Sequence, residues 1–341
     1  MNASIQLGLF NEPPLRVVSL FAGIGGAEQA LRQAEIQYDL LAWSEIASQA
    51  IKTYEAFWGE AEKNRGDLLK MSTEGLTDVD LITGGFPCQP FANFGLQAGF
   101  DDPRFLAALE VVRVVKEIMP KYILLENVAA ILTKKFKVGI TEYFGLFEAL
   151  GYRTSIHRGN PKDFGALQSR TRVYIAFSRA DVPMWTLPSI EEIPFEQQTF
   201  IVDSNADTDK NCFTIPDRFV KVVYGEPDQH FQCITRKGVA SYCKRHSWIK
   251  HGEGYRSYTP QEYFQLFGWD RSIEVALTRR GVSRTGLSFG FGNSWHAGHA
   301  AHLLRSMPLE AEHKTPLSES AGGITTAWVR PTSSRLRECR A

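Results

Sequence analysis

The chain has 341 residues, is 43% hydrophobic and 22% charged, and carries a formal net charge of zero, which is ordinary for a soluble globular protein of one or two domains. Its five cysteines, an odd number without C-x-x-C pairing, argue against a disulfide framework and favour reduced thiols in a cytoplasmic protein. No apolar run approaches about 18 residues, and residues 1–14 lack the basic start and apolar core of a signal peptide, so we expect neither a membrane span nor a leader.

From residue 15 onward, short apolar segments alternate with turns and amphipathic segments. This alternation predicts an α/β fold with a mostly parallel sheet and helices on both faces. The expected strands cover residues 16–21, 38–43, 79–83, 121–125, 152–157 and 172–177, and the expected helices cover 28–34, 47–58, 103–118 and 141–150.

The pattern changes near Arg179, after which the chain carries prolines, short extended pieces and many polar residues. A helix over 259–267 with a Thr-Pro start, a glycine-rich loop over 286–294 and a final helix over 295–307 that packs back on the first domain are expected next. The predicted organisation is an arm at 1–14, a main domain at 15–178 plus 285–311, a smaller irregular domain with a connecting segment at 179–284, and a disordered tail at 312–341.

The main domain is organised around one cysteine. The apolar run 79–83 suits a buried strand, and two glycines are expected to end it. Cys88 follows between Pro87 and Pro90, which stiffen the turn that carries the thiol. Because ligands of open α/β sheets bind outside the carboxyl ends of the strands, this position favours a nucleophile over a buried structural thiol.

A glycine-rich turn at residues 21–26 follows the first strand and opens the first helix, so a ligand can approach its backbone closely. Glu45, at the end of the next strand, is placed to accept hydrogen bonds from ribose hydroxyls. The spacing is Gly-x-Gly-Gly instead of the dinucleotide fingerprint, so the pattern favours a nucleoside without pyrophosphate. A tight turn without a ligand is the alternative. Asp67 is a weaker candidate for contact with an adenine amino group.

Three charged side chains are predicted at the same edge. Glu126 follows the strand 121–125, where it is either a solvated carboxylate or, beside a nucleophile, a general acid or hydrogen-bond clamp. Arg170 and Arg172 are two residues apart, so in an extended segment they point to the same side. They form either a clamp for a phosphate or carbonyl group or a solvated basic edge.

Six segments, in order, resemble the motifs of the cytosine-5 DNA methyltransferase family, and the resemblance covers about residues 15–178 and 254–307. They correspond to the family's cofactor turn, nucleophile loop, third and fourth signatures, the segment after the recognition domain, and the closing motif beside the cofactor. These segments are Leu20–Gly26, Gly85–Phe91, Glu126–Val128, Gln168–Tyr174, Tyr258–Glu262 and Gly292–Ser294.

The resemblance implies a Rossmann-like methyltransferase domain that uses S-adenosylmethionine and no metal, and that methylates carbon 5 of a cytosine flipped out of duplex DNA. Cys88 would add to carbon 6, Glu126 would hold or protonate the ring nitrogen, Arg172 would grip the carbonyl, and Arg170 would assist or bind phosphate. Residues 92–103 match the family's mobile loop. The implied cofactor-binding residues are Phe21, Ala22, Gly23, Gly25, Gly26, Glu45, Asp67, Pro87, Asn293 and Ser294.

The neutral chain has a local basic segment in the expected target-recognition domain. Residues 233–256 carry five more cations than acids, with three aromatic residues interleaved, which indicates a face for DNA. The candidate DNA-binding residues are Gln89, Asn93, Thr235, Arg236, Lys237, Lys244, Arg245 and Arg256.

The expected partner is double-stranded DNA with a short specific site, read by a monomer in the cytoplasm of a bacterial or phage-infected cell without a membrane partner. Which bases surround the target, and whether a cognate restriction endonuclease acts separately, stay open. Three alternative functions remain. The first is an RNA methyltransferase of the same superfamily, since Asn211–Thr214 is similar to an element of the transfer-RNA branch. The others are a non-catalytic DNA-binding scaffold and an NAD-type oxidoreductase. The incomplete dinucleotide pattern disfavours the last.

Overall fold

The computed structural model describes residues 13–86, 103–198, 212–213, 222–223, 231, 247–251, 254–256, 258–269, 282 and 284–309. The main sheet comprises β1 (Leu15–Leu20), β2 (Tyr38–Ser44), β3 (Leu81–Gly85), β4 (Tyr122–Val128), β5 (Tyr152–Gly159) and β6 (Arg172–Arg179). A small sheet comprises β7 (Cys212–Phe213), β8 (Val222–Val223), β9 (Ser247–His251) and β10 (Gly254–Arg256). The helices are α1 (Gly26–Gln33), α2 (Ser48–Trp58), α3 (Pro103–Ile118), α4 (Lys137–Ala149), α5 (Pro260–Leu266), α6 (Arg284–Asn293) and α7 (Ala297–Arg305).

The main sheet has the strand order β2-β1-β3-β4-β6-β5. The β1–β2, β1–β3 and β3–β4 pairs are parallel, and β6 runs antiparallel to both of its neighbours. The prediction of a mostly parallel α/β sheet is therefore confirmed. The reversed strand was not predicted, and it follows from a connection between β5 and β6 that holds only a short 3-10 helix, whereas parallel neighbours need a longer crossover.

Helices cover both faces of this sheet, as expected. Side chains of α1 and α7 pack on one face, where the core includes Trp43, Tyr174 and Trp185. Side chains of α3 and α4 pack on the other face around Tyr143 and Phe147. The final helix does return to the first domain, because α7 packs against α1.

The predicted bounds of the third strand, 79–83, were wrong, because β3 includes both glycines that were expected to end it. Gly84 lies inside the strand, and Gly85 is its last residue. Gly84 pairs with Leu125, and Gly85 pairs with Glu126. A Cβ on Gly84 would lie 3.0 Å from the carbonyl oxygen of Leu20 on β1. The glycine therefore permits two strands to approach closely instead of ending one of them.

The glycine-rich segment 286–294 was expected to be a loop, and this prediction was also wrong because α6 covers most of it. A Cβ on Gly290 would overlap the side chain of Ile24 in the glycine turn. The missing side chain lets α6 pack directly against that turn. The domain division remains a prediction, and the tail and residues 1–12 of the arm lie outside the described residues.

A buried histidine pair joins β5 to α7. His157 Nδ1 donates to the carbonyl oxygen of Pro188 at 2.6 Å, which leaves its Nε2 to accept from His299 Nε2 at 2.8 Å. His296, just before α7, accepts the backbone N–H of His299. Burial, the largest cause, lowers the pKa of His296 to about 3 and that of His299 well below its usual 6.5.

Acidification is therefore expected to destabilise the fold. Below about pH 6.5 these histidines bind protons in the unfolded chain but stay neutral in the folded protein, so the free energy of unfolding falls as the pH falls. For the fully buried His296 and His299 together, the loss at pH 5.5 is about 3 kcal/mol of unfolding free energy. Urea unfolding at pH 7.5 and 5.5 measures it, and the variant His299→Gln should lose less on acidification. An equal loss in variant and wild type would contradict the assignment.

Candidate active site at the carboxyl edge of the sheet

The carboxyl ends of three parallel strands lie side by side. Leu20 at the end of β1 pairs with Gly84, and Gly85 at the end of β3 pairs with Glu126 on β4. The glycine turn after β1, the segment that leads to Cys88 and the predicted acid Glu126 therefore meet at one edge of the sheet. Such an edge is where open α/β folds bind their ligands.

The glycine-rich segment after β1 forms a turn in which several residues adopt a left-handed backbone. Phe21, Gly23 and Gly25 have φ values of 51°, 60° and 86°. A Cβ on Gly25 would overlap the indole of Trp58, whose Nε1 donates to the Ile24 carbonyl oxygen at 3.0 Å. The turn is thus fixed from one side by the end of α2.

The closing motif packs on the other side of the turn. A Cβ on Gly26 would lie 2.6 Å from Ser294 Oγ and 3.0 Å from the backbone nitrogen of Trp295. The Ser294 hydroxyl is buried without a hydrogen-bond partner, whereas Asn293 is exposed and donates to the Phe289 carbonyl oxygen. Of the two predicted cofactor residues in this motif, Ser294 is the one that contacts the turn.

Glu45 holds the turn by backbone hydrogen bonds. Its Oε2 accepts from Gly23 N at 3.0 Å, and its Oε1 accepts from Ile46 N and Ala47 N at 2.8 Å each. Because a carboxylate has about four acceptor positions, Oε2 keeps room for one further donor. The predicted contact with a ribose hydroxyl is compatible with this geometry.

Asp67 lies beside the end of β2 and caps a short 3-10 helix. Its Oδ1 accepts from Leu69 N at 3.1 Å, and Ser44 Oγ donates to the Gly66 carbonyl oxygen at 2.7 Å. These bonds hold the carboxylate near the edge where Glu45 lies. Two exposed apolar side chains lie near these acids in sequence, Ile46 directly after Glu45 and Leu69 two residues after Asp67.

Glu126 and Arg172 form a largely buried ion pair. Arg172 Nε lies 2.8 Å from Glu126 Oε1, and both side chains are about nine-tenths buried. Burial raises the pKa of Glu126, while the charges of Arg172 and Arg170 partly oppose this rise. The carboxyl therefore keeps a proton to higher pH than an exposed glutamate does.

A hydrogen bond joins the residue after this acid to the start of the cysteine loop. Asn127 Nδ2 donates to the Phe86 carbonyl oxygen at 2.8 Å in a buried position. Sequence reasoning gave Asn127 no role of its own, although it stands next to Glu126 in a recognised motif. Four predicted residues, Pro87, Cys88, Gln89 and Asn93, lie outside the described residues.

Arg170 lies in a different environment from the one expected. Its guanidinium is buried, donates to the carbonyl oxygens of Gly292 at 3.2 Å and Ser294 at 2.7 Å, and stacks over Phe267. These carbonyl groups are more than 120 residues away in sequence, so spacing alone could not identify them. The contacts indicate that Arg170 positions the closing motif, whereas Arg172 contacts the acid.

Tyr174 was missed as a site residue. It pairs with Glu126 in the β4–β6 ladder, and its buried hydroxyl has no hydrogen-bond partner. Arg172 and Tyr174 are alternate residues of one strand and so share a face, which is a signal that the sequence contained. The Tyr174 ring packs against Trp295 of the closing motif.

Of the candidate DNA-binding residues in 233–256, the described part of the small sheet includes only Arg256. The backbone of Arg256 pairs with Ile249 and Cys212. Phe231 exchanges backbone hydrogen bonds with Leu167 and Ser169 at the entry to β6. The other candidates, Thr235, Arg236, Lys237, Lys244 and Arg245, lie outside the described residues.

The turn provides a sharp test with a matched control. Gly25→Ala is expected to abolish cofactor binding and to lower the unfolding midpoint, because the new methyl group adds a steric overlap with Trp58 to a left-handed backbone. Gly23→Ala has the same backbone strain, but the nearest atom to its new methyl group would be the Phe21 carbonyl oxygen, 3.9 Å away. For this variant we expect the free energy of unfolding to fall by only about 1–2 kcal/mol. Calorimetric binding of S-adenosylhomocysteine and thermal unfolding would compare them. An equal fall of the unfolding midpoint in the two variants would contradict this packing.

No described helix is long and apolar enough to cross a membrane. Within the described ranges, no group of three or more histidine, cysteine, aspartate or glutamate side chains could hold a metal ion.

Comparison with known proteins gives one family. A family model described as C-5 cytosine-specific DNA methylase matches residues 15–223. The chain is 33% identical over 325 residues to the Type II methyltransferase M1.ScrFI of Lactococcus lactis subsp. cremoris, an alignment that covers 88% of this chain and 79% of that protein. It is 37% identical over 169 residues to the orphan methyltransferase M.Rho11sI of Bacillus phage rho11s, which covers 49% of this chain but only 34% of the phage protein.

The fold is similar to that of solved structures. The Dnmt2 methyltransferase of S. pombe superposes with a TM-score of 0.71 at 22% identity, and the match covers 85% of this chain and 97% of that chain. The E. coli protein named "putative DNA modification methyltransferase encoded within prophage" superposes with a TM-score of 0.61 at 19% identity, over 86% of this chain and 98% of that one.

Proposed function

Since this chain belongs to the C-5 cytosine-specific DNA methylase family, we propose that it methylates carbon 5 of a flipped-out cytosine in a short, specific site of duplex DNA. The observation that carries the proposal is the buried Glu126–Arg172 ion pair beside the strand that leads to Cys88. The two relatives aligned above are named as methyltransferases, which supports the reaction class.

The residues at the edge fit S-adenosylmethionine. Glu45 has a free acceptor position, the Ser294 hydroxyl is buried without a partner, and the left-handed turn at Gly23 and Gly25 exposes backbone to a ligand. Asp67 would lie at the adenine end of this nucleoside. When bound, the cofactor supplies a methyl group on a positively charged sulfur. Glu45 and Ser294 would orient its ribose and amino-acid portions.

The chain's own groups would activate the base in two coupled steps. The Cys88 thiolate attacks carbon 6 of the cytosine and forms an S–C bond, while Glu126 delivers its proton to ring nitrogen 3. Carbon 5 thereby becomes nucleophilic and accepts the methyl group. Loss of the carbon-5 proton to a base then expels Cys88 as thiolate, and ring nitrogen 3 returns its proton to Glu126, which restores the neutral aromatic ring and the starting acid.

The raised pKa of Glu126 favours this role, because it extends the protonated form of the carboxyl to higher pH than in an exposed glutamate. Arg172 would hold the exocyclic oxygen of the cytosine beside the acid, as a planar donor group favours. We propose Arg170 as a positioning residue, since its hydrogen bonds go to the closing motif instead of the edge.

The partner follows from the chemistry. Carbons 5 and 6 of a paired cytosine are stacked in a duplex, so the base must leave the helix to meet Cys88. The basic residues of 233–256 would contact the DNA backbone and the bases around the target. The enzyme would act as a monomer, and any cognate endonuclease would act separately on the same site.

The direct test transfers a labelled methyl group from S-adenosylmethionine to duplex DNA and, in parallel, to transfer RNA. We expect label in 5-methylcytosine of the duplex only. Label in transfer RNA alone would move the function to the RNA branch, and cofactor binding without transfer to either substrate would favour the scaffold.

A further inference from the structure

Three lysines lie close together in sequence beyond the end of β4. The proposed mechanism assigns none of them a role. Lys134, Lys135 and Lys137 are all exposed, and the chain has no acidic residue between Glu126 and Glu142. Within the described structure, no carboxylate lies within ion-pair distance of any of them. Several other surface cations of this domain are paired, for example Lys63 with Glu60 at 2.9 Å and Lys121 with Asp80 at 2.7 Å.

These lysines do not stabilise the helix that they adjoin. Lys137 is the first residue of α4, which has no acidic residue in its first turn and no side-chain cap at Phe136. Cations at the amino end of a helix are repelled by its dipole, which favours anions there. Lys135 lies over the ring of Phe136 at 5.5 Å, whereas no contact of the Lys134 or Lys137 ammonium group offsets this repulsion within the described structure. A local choice that costs stability in this way is a sign of function.

The topology places this patch at the edge that holds Glu126. β4 and β5 run in the same direction because both are antiparallel to β6. A helix that connects two such strands runs back across the sheet, so its amino end lies at their carboxyl edge. The patch also contains exposed apolar groups, since Leu132 is 38% exposed and Val138 is 62% exposed. Arg158, exposed at the end of β5, lies at the same edge.

We propose that Lys134, Lys135 and Lys137 form a phosphate-contacting ridge that binds the backbone of duplex DNA beside the flipped base. This inference rests on the proposed function and assigns a DNA contact to the catalytic domain itself. The ridge would bind without reading sequence, because lysines contact phosphates as point charges. Recognition of the target would remain with the small domain.

The test compares two variants with the same change of charge. Lys134→Gln/Lys135→Gln removes two cations of the ridge, and the control Lys52→Gln/Lys116→Gln removes two exposed lysines of α2 and α3. Each is titrated with a random-sequence duplex in the presence of S-adenosylhomocysteine over a range of salt concentrations. For the ridge variant we expect roughly tenfold weaker binding at 0.1 M salt and a salt slope smaller by about 2 than in wild type.

The outcomes separate the two proposals. Cofactor affinity and unfolding midpoint should match wild type in both variants. If the ridge variant binds the duplex as the control does, the ridge is not a DNA contact even though wild type methylates DNA. A loss of affinity for transfer RNA without a loss for the duplex would also overturn it. If wild type neither binds nor methylates the duplex, the proposed function itself fails.

Discussion

Replacing Cys88 by alanine is expected to abolish methyl transfer, with a fall in rate of at least about 10⁴-fold. Without the S–C bond at carbon 6, carbon 5 of an aromatic cytosine is not nucleophilic enough to accept a methyl group. Single-turnover transfer to duplex DNA measures the effect. Affinity for S-adenosylhomocysteine should stay unchanged, because the Cys88 thiol is not among the expected cofactor contacts.

The position of Cys88 relative to the acid supports this expectation. Cys88 follows Gly85 by three residues, a span of at most about 11 Å in an extended chain, and Gly85 pairs with Glu126. A matched control is Cys339→Ala, which removes a thiol near the end of the chain. A Cys88→Ala enzyme that retains a tenth of wild-type activity would rule out the covalent mechanism.

Replacing Glu126 by glutamine is expected to lower the rate of transfer by about 10²–10⁴-fold. Glutamine has the same shape and can still donate a hydrogen bond to the ring, but it cannot transfer a proton. In wild type, the raised pKa of Glu126 keeps the acid protonated above the range of an exposed glutamate. The rate of methyl transfer by wild type should therefore decrease at alkaline pH as Glu126 loses its proton. The rate of the Glu126→Gln variant should not show this decrease.

Rates of single-turnover transfer against pH measure both effects. Glu142→Gln, at an exposed position of α4, is the matched control and should behave as wild type. If Glu126→Gln transferred methyl groups at the wild-type rate with the same pH profile, Glu126 would have no role in proton transfer. A weaker affinity for the cofactor in this variant would instead indicate a disturbed fold.

The order of strands and helices could be predicted because it depends on local periodicity. Turn chemistry was predictable where one residue decides it, as at Gly25, whose left-handed φ only glycine adopts readily. Glycines that serve close packing were misinterpreted, since Gly84 approaches Leu20 and Gly290 approaches Ile24. Those approaches depend on tertiary neighbours that no local pattern reveals.

The contacts of the candidate site also depend partly on local pattern and partly on residues that are distant in sequence. The alternation argument placed Arg170 and Arg172 on the same side, but β6 begins at Arg172, and it is the register of β6 with β4 that brings Arg172 to Glu126. The hydrogen bonds of Arg170 go to Gly292, in a helix far away in sequence that was expected to be a loop, and to Ser294 just beyond its end. The bond from Asn127 to Phe86 likewise required the pairing of β3 with β4.

The central claim is a covalent bond between Cys88 and a cytosine in duplex DNA. It is tested most directly by incubating the protein with S-adenosylmethionine and a duplex in which cytosine is replaced by 5-fluorocytosine. Because fluorine cannot leave as a cation, the reaction should stop at the methylated adduct. We predict a denaturation-resistant complex whose peptide map places the DNA on Cys88, and none with Cys88→Ala. Absence of the complex with wild-type protein that binds both cofactor and duplex would contradict the account.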